Sequence, residues 1–467
     1  MTRSALILTA LLATSVPVPA QPPDAPKKET PPPGGTPKDL VLAEPARITL
    51  DNGLAATLVE YGTAPKVTIY ARVRAGGLNE GDDVWLAAIT GDMLKEGTEN
   101  YTSTALAEAA ASMGGDISVM TDDEYTSVSM DVLAEFADEA VALVAEVLRR
   151  PTLPATELER IRRDYLRSLA VQQSQPQPLA QAAFVKLLYG SHPFGRTFPT
   201  EAQLAGYDIE DVQRFYTDNF GARRTQVYVA GRFRRAFVEQ ALRDHFGAWE
   251  PGPEPLVNVP PKPDEPGVEL IARPGAPQST LRLGLRTVDP SAGIDWSRLA
   301  VANTLFGGYF SSRVTANIRE DKGYTYSPSS TLSARKSDAY WVQQADVTTE
   351  HTGDSLHEIF AELERLRAEP PSAAEVDRVQ NYLVGTFTLS NSSRFGILSQ
   401  LAFIDTHGLP YEYLTSYVER VTGITAKHIS GAAEQYLLPE RMSLVVVGDL
   451  EAVRPQLEAL PELEGRL

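Results

Sequence analysis

The chain has 467 residues, 43% hydrophobic and 22% charged, and its 61 acidic and 43 basic side chains give a formal charge of −18. Such a length calls for two or more domains with a real core. The acidity excludes the clustered basic surface that nucleic acid or anionic lipid requires, and the lack of cysteine excludes disulfides, thiolate metal sites, a cysteine nucleophile and a cysteine-borne lipid anchor.

Residues 1–20 read as a signal peptide. Arg3 is the basic start, Ala5 to Val16 an apolar stretch too short to span a membrane, and Val18-Pro19-Ala20 a small-residue cleavage site. Export to the periplasm or the extracellular space is therefore expected. Residues 21–42, rich in proline and polar residues, cannot bury enough apolar surface to fold and read as a disordered leader. No later run reaches the ~18 apolar residues of a membrane span.

Strands are predicted over Ala46–Glu60, Lys66–Ala75 and Thr126–Val132, and a long helix opens after Pro154. A short helix at Ile209–Tyr216 precedes a buried strand, Arg224–Gly231. Residues 250–267, proline-rich and aperiodic, read as a linker. The plan then recurs. Strands are predicted at Leu281–Val288 and Tyr340–Val347, a helix after Pro371, a short helix at Ala426–Ala433 and a buried strand at Arg441–Gly448. Pro371 follows Pro154 by 217 residues, Gly448 follows Gly231 by 217, and Glu375 follows Glu157 by 218. Residues 43–249 and 268–467 thus read as two homologous halves. Strands and helices do not alternate strictly, so each half is expected to be α+β, a largely antiparallel sheet with helices packed on one face.

The segment Ala88-Ile-Thr-Gly91-Asp92-Met-Leu-Lys-Glu-Gly97-Thr98, with Ser103-Thr-Ala-Leu-Ala-Glu108 after it and Tyr189-Gly-Ser-His-Pro-Phe-Gly-Arg196 further on, resembles the pitrilysin/insulinase (inverzincin) metallopeptidase family, in its mitochondrial-processing-peptidase-like bacterial branch. The likeness extends over nearly the whole mature chain. Family members read H-x-x-E-H-x-L-x-x-G-T here. Two histidines at i and i+4 share a helical face and hold one zinc, and the glutamate activates its bound water. A further carboxylate about 77 residues on completes the family's site. In this chain Ala88 and Asp92 stand at the histidine positions and Gly91 at the base. The distant ligand falls near Arg167, Ser168 or Leu169, none acidic, with Asp164 one turn early. The resemblance therefore implies a clamshell-like chamber between the halves, with no metal, no cofactor and no catalytic residue of this chain's own.

Other sites are weaker. None of the six histidines has another at i+3 or i+4, no G-x-S-x-G elbow occurs, and the run Asp122-Asp123-Glu124 reads as a solvated loop. The acidity fits either plain solubility or a chamber that attracts basic peptides.

The second half carries Phe306-Gly-Gly-Tyr-Phe-Ser-Ser-Arg313 and then Ile318-Arg319-Glu-Asp-Lys-Gly323-Tyr324-Thr-Tyr326. Locally this reads as a helix ended by Gly323, followed by a strand with Tyr324 and Tyr326 on one face. Gly307 and Gly308 read as a turn. The element resembles the family's G-x-x-S-R-L…R-E-x-x-G-x-x-Y, whose second Arg and final Tyr bind the substrate backbone. Arg319 and Tyr326 hold those positions, as a rigid fork of donors and a hydroxyl able to donate to a developing oxyanion. The resemblance implies the zinc-less subunit of a heterodimeric peptidase acting on peptides or unfolded polypeptides. Its partner would be a homologue bearing zinc and an intact H-x-x-E-H. The alternative is a non-enzymatic scaffold or peptide-binding protein of the same fold.

Overall fold

The computed structural model describes residues 38–261 and 265–467; the expected signal peptide and residues 21–37 of the expected leader lie outside them. Eleven strands form two sheets among the described residues. The first half supplies β1 (Ala46–Thr49), β2 (Ala55–Glu60), β3 (Lys66–Val73), β4 (Ile117–Thr121), β5 (Thr126–Leu133) and β6 (Thr225–Gly231). The second supplies β7 (Val268–Ala272), β8 (Gln278–Thr287), β9 (Ser329–Arg335), β10 (Asp338–Thr348) and β11 (Ser443–Gly448). The sheet orders are β1-β2-β6-β3-β5-β4 and β7-β11-β8-β10-β9. Without the edge strand β1 they are the same order, each with one parallel pair, β2 with β6 and β7 with β11, and antiparallel pairs elsewhere. The repeat seen at an offset of 217 residues is thus a repeat of topology.

Alternation along each strand gives every sheet two apolar faces. In β3, Val67, Ile69, Ala71 and Val73 face a core built with the first half's own helices, including α1 (Leu86–Met93) and α2 (Ala155–Ser174). The opposite face is covered by a helix from the other half. Helix α3 (Pro176–Tyr189), from the first half, lays Phe184, Val185 and Leu188 on Val342, Val445 and Val447 of the second sheet. In the second half α4 (Ala373–Ser390) follows α2 by 218 residues, and α5 (Arg394–His407) follows α3 by the same interval. Helix α5 packs Ile397, Leu398 and Leu401 on Val59, Tyr228 and Ala230 of the first sheet. The halves close as a clamshell by exchanging equivalent helices. Gly284 on β8 makes room for the exchange, since a Cβ there would lie 2.9 Å from Cζ of Phe184. No helix among the described residues is long and apolar enough to cross a membrane.

Some elements differ from expectation. The strand expected over Ala46–Glu60 is a hairpin, because Asn52-Gly53 turns the chain with Gly53 at φ +91°. The strand expected after Gly323 is a single bridge, Thr325 to Val347, and β9 begins only at Ser329. The helix before it winds as a π-helix over Thr315–Asp321. Gly307 and Gly308 close another π-helical segment, Thr304–Gly308, and do not form a turn. The start of the first half is tied down, with Leu40 and Leu42 against the α5 cluster and Tyr411 Oη donating to the Leu42 carbonyl.

Candidate functional site

Helix α1 begins on Trp85, whose φ of +72° is left-handed, a conformation that costs a bulky residue on the order of 1–2 kcal/mol. Two groups hold it. The indole Nε1 donates to the Thr197 carbonyl at 3.0 Å. The Glu80 carboxylate accepts from the backbone N–H groups of Trp85 and Ala87, each at 3.0 Å. Burial outweighs those two hydrogen bonds and pushes the Glu80 carboxyl up to about 7.

The next turn carries the positions where a zinc site would stand, and the side chains present do not fit one. Ala88 offers no donor. A Cβ on Gly91 would lie 2.2 Å from Thr121 Oγ1, which bonds to Thr126 Oγ1. Asp92 accepts from Tyr165 Oη at 2.9 Å. Tyr165 is thus the side chain that α2 sends to this face. Ser168 is exposed and accepts from Gln172, Leu169 is buried, and Asp164 is paired with arginines of its own helix. Among the described residues no three His, Asp or Glu side chains are grouped to hold a metal ion.

A cavity of about 310 Å³ opens in front of Ala88 and Glu80. Its far wall includes Arg335 of the second half. Arg335 donates to Asp123 Oδ2 at 2.7 Å, and the Lys336 backbone N–H donates to both Glu124 oxygens at 3.1 and 3.2 Å. The reading of Asp122–Glu124 as a solvated loop is therefore corrected. These residues form the β4–β5 turn, and they receive the basic β9–β10 turn, its equivalent in the repeat. Sequence could not pair turns 212 residues apart. The rings of Tyr189, Phe194 and Tyr340 lie 4.2–5.5 Å from the Arg335 guanidinium carbon. The Tyr189–Arg196 stretch thus builds the junction between the halves, and Tyr189 also donates to buried Asp338 at 2.5 Å.

Arg319 and Tyr326 are brought together elsewhere on the second half. Gly323, at φ +69°, stops the π-helix, and its N–H returns to the Arg319 carbonyl at 3.1 Å. Thr325 is buried and donates to the Asp346 carbonyl, so Tyr324 and Tyr326 flank it. Tyr324 stacks on His351, while Tyr326 projects at 78% exposure. The Arg319 guanidinium lies 5.0 Å from the Tyr326 ring and 4.3 Å from the ring of Phe310, itself 67% exposed. Phe310 was not singled out in the sequence, where it is one residue of a glycine-serine run. The other arginine of the element, Arg313, is buried and paired with Glu375 at 2.8 Å. Neither Arg319 nor Tyr326 lines the cavity in front of Ala88.

Comparison with known proteins agrees with this layout. Residues 56–199 match the family described as Insulinase (Peptidase family M16), and residues 207–383 the one described as Peptidase M16 inactive domain. An uncharacterized zinc protease of Mycobacterium tuberculosis is 26% identical over 447 residues, covering 93% of this chain and all of that relative. Among solved structures, a peptidase M16 inactive domain from Pseudomonas fluorescens superposes with a TM-score of 0.81 at 22% identity, covering 87% of this chain and 98% of the other. A Helicobacter pylori protease gives a TM-score of 0.79 at 17% identity, covering 87% of this chain and all of that one.

Proposed function

The chain belongs to the insulinase family of peptidases, family M16, as a member of the non-catalytic kind, and from that premise we propose that it is the substrate-gripping half of a two-chain peptidase. Its partner is a homologue with an intact H-x-x-E-H helix and the zinc. The substrate is a peptide or unfolded polypeptide, and the pair works outside the cytoplasm, following the signal-peptide pattern of residues 1–20. One contrast carries the reading. The metal positions are filled by Ala88, Gly91 and Asp92, with Gly91 closed off by Thr121. The Arg319–Tyr326 pair is kept and stands exposed beside Phe310. A protein that only scaffolds has no need of an exposed Arg–Tyr pair at the family's substrate positions.

Purification of the native protein with its bound chains tests the proposal. The expected result is one co-purifying homologue with the H-x-x-E-H motif and a peptidase activity that needs both chains. A partnerless chain, or a zinc-bearing partner equally active by itself, favours the scaffold reading.

A further inference from the structure

Between the halves, on the other side of the Arg335–Asp123 pair from the Ala88 cavity, lies a second cavity of about 520 Å³. That volume is within the range of small-ligand sites. One wall is apolar, with Tyr70 from β3 and Ala402 and Phe403 from α5. The opposite wall carries charges whose hydrogen-bonding capacity is only half used.

Arg335 is 11% exposed at its side chain. Its Nη2 donates to Asp123 Oδ2, and its Nη1 is buried without a partner among the described residues. Arg72 stacks over the Tyr125 ring at 3.6 Å and donates from Nη1 to Thr406, while its Nε is likewise buried without a partner there. A buried guanidinium N–H without an acceptor is costly, and a bound acceptor removes that cost. The carboxylates mirror this. Asp122 Oδ1 accepts from the backbone N–H groups of Glu124 and Tyr125, and Asp123 Oδ2 accepts from Arg335. The second oxygen of each accepts no hydrogen bond among the described residues. Burial raises the Asp122 carboxyl above the ordinary carboxylate range, as expected of an acid facing a desolvated space that lacks a counter-charge.

The wall therefore presents one unused donor set and one unused acceptor set side by side, joined by an ion pair of 2.7 Å. A simple anion satisfies the first and is repelled by the second; a simple cation does the reverse. An α-amino acid carries its ammonium and carboxylate on one carbon. Laid antiparallel to the Arg335–Asp123 pair, it completes a ring of four alternating charges, and its side chain turns to Tyr70 and Phe403.

We propose that this cavity is a binding site for a free α-amino acid with an apolar side chain, its carboxylate on Arg335 and Arg72 and its ammonium on Asp122 and Asp123. The site is separate from the Arg319–Tyr326 pair and does not depend on the two-chain reading. A free amino acid is also what complete peptide hydrolysis leaves, so such a site reports the progress of proteolysis.

Titration calorimetry of the full mature chain with three probes tests this. Phenylalanine is expected to bind. Phenylalaninamide, which keeps only the ammonium, and N-acetylphenylalanine, which keeps only the carboxylate, are each expected to bind tenfold or more weakly, the effect of losing one charge-assisted contact. Arg335→Gln is expected to remove phenylalanine binding and Arg72→Gln to weaken it. The probe comparison decides the matter on the unmodified protein if Arg335→Gln proves unfolded by circular dichroism. No phenylalanine binding at 10 mM or so overturns the proposal. So does equal or tighter binding of the amide, which makes the cavity a plain cation site, or of the acetyl compound, which makes it a plain anion site.

Discussion

The Tyr165 hydroxyl donates to Asp92 Oδ2 at 2.9 Å, joining α2 to α1 across the face where the peptidases of this family hold zinc. The face is occupied and closed. Trp85 packs edge-on against the Tyr165 ring, with centroids 5.7 Å apart, so the tyrosine is fixed by packing as well as by its hydrogen bond.

Restoring the motif is therefore expected to fail. The triple substitution Ala88→His, Gly91→Glu, Asp92→His supplies two ligands and a base, but Tyr165 and Leu169 still face the site from α2, and two histidines leave zinc under-coordinated. Gly91→Glu also drives a Cβ to within 2.2 Å of Thr121 Oγ1, an overpacking that costs about 1–3 kcal/mol. The expected outcome is a less stable protein without stoichiometric zinc. One chelator-sensitive zinc per chain by elemental analysis, with peptide hydrolysis, would show that the third ligand was misplaced.

The helix exchange makes a separate demand. Phe184 is fully buried on the other half's sheet, and Phe184→Ala is expected to cost about 3–5 kcal/mol in urea denaturation. Gly284→Ala places a methyl 2.1 Å from the Trp341 carbonyl oxygen and 2.9 Å from the Phe184 ring, so this small change is expected to cost about 1–3 kcal/mol. A neutral Gly284→Ala would mean that α3 does not lie as close to β8 as described.

Two buried groups give opposite pH dependences. The Glu80 carboxyl, pushed up by burial to about 7, binds its proton more tightly folded than unfolded. Its contribution falls as pH rises from about 4.5 to about 7 and stays lost above that. The His407 imidazole, pushed down by burial to about 4 with Arg72 and Lys336 also opposing its charge, is neutral in the fold. Its contribution is lost as pH falls from about 6.5 to about 4. Between about 4.5 and 6.5 the two slopes oppose each other. Glu80→Gln is therefore expected to make stability rise more steeply with pH in that window, and His407→Asn to make it fall. Thermal melts of the three proteins across pH 4–8 check this, and unchanged slopes in both variants would refute the assignment.

Legibility in the sequence followed the range of the forces involved. Local signals carried the halves, since the glycine-ended strands β6 and β11 and the helices after Pro154 and Pro371 are set by near neighbours. Asn52-Gly53 was a local turn signal too, and the apolar run around it hid it. β4, β7 and β9 escaped because they are short and half-exposed, with weak alternation. The partners that shape the cavities, Glu80 against Trp85, Tyr165 against Asp92 and Arg335 against Asp123, pair side chains whose meeting depends on the finished fold. The run Asp122–Glu124 showed its charge in the sequence but not its basic counterpart.

The last prediction concerns Arg319 and Tyr326. In a reconstituted pair with a zinc-bearing homologue, Tyr326→Phe removes only a hydroxyl from a side chain that is 78% exposed, so folding should survive. If that hydroxyl holds the peptide carbonyl as charge develops on it, turnover should drop by on the order of a hundredfold or more. Arg319→Lys is expected to be similarly damaging, because an ammonium cannot reproduce the planar fork that lies between the Phe310 and Tyr326 rings. Phe310→Ala leaves both polar groups in place but frees the guanidinium to wander, so a milder loss of roughly tenfold is expected, a fraction of what losing a donor outright costs. Steady-state kinetics on one peptide, with association of the two chains measured in parallel, separates these effects from a failure to pair. Full turnover in the Tyr326 and Arg319 variants, with normal association, would remove the substrate-binding role and leave a scaffold of the same fold.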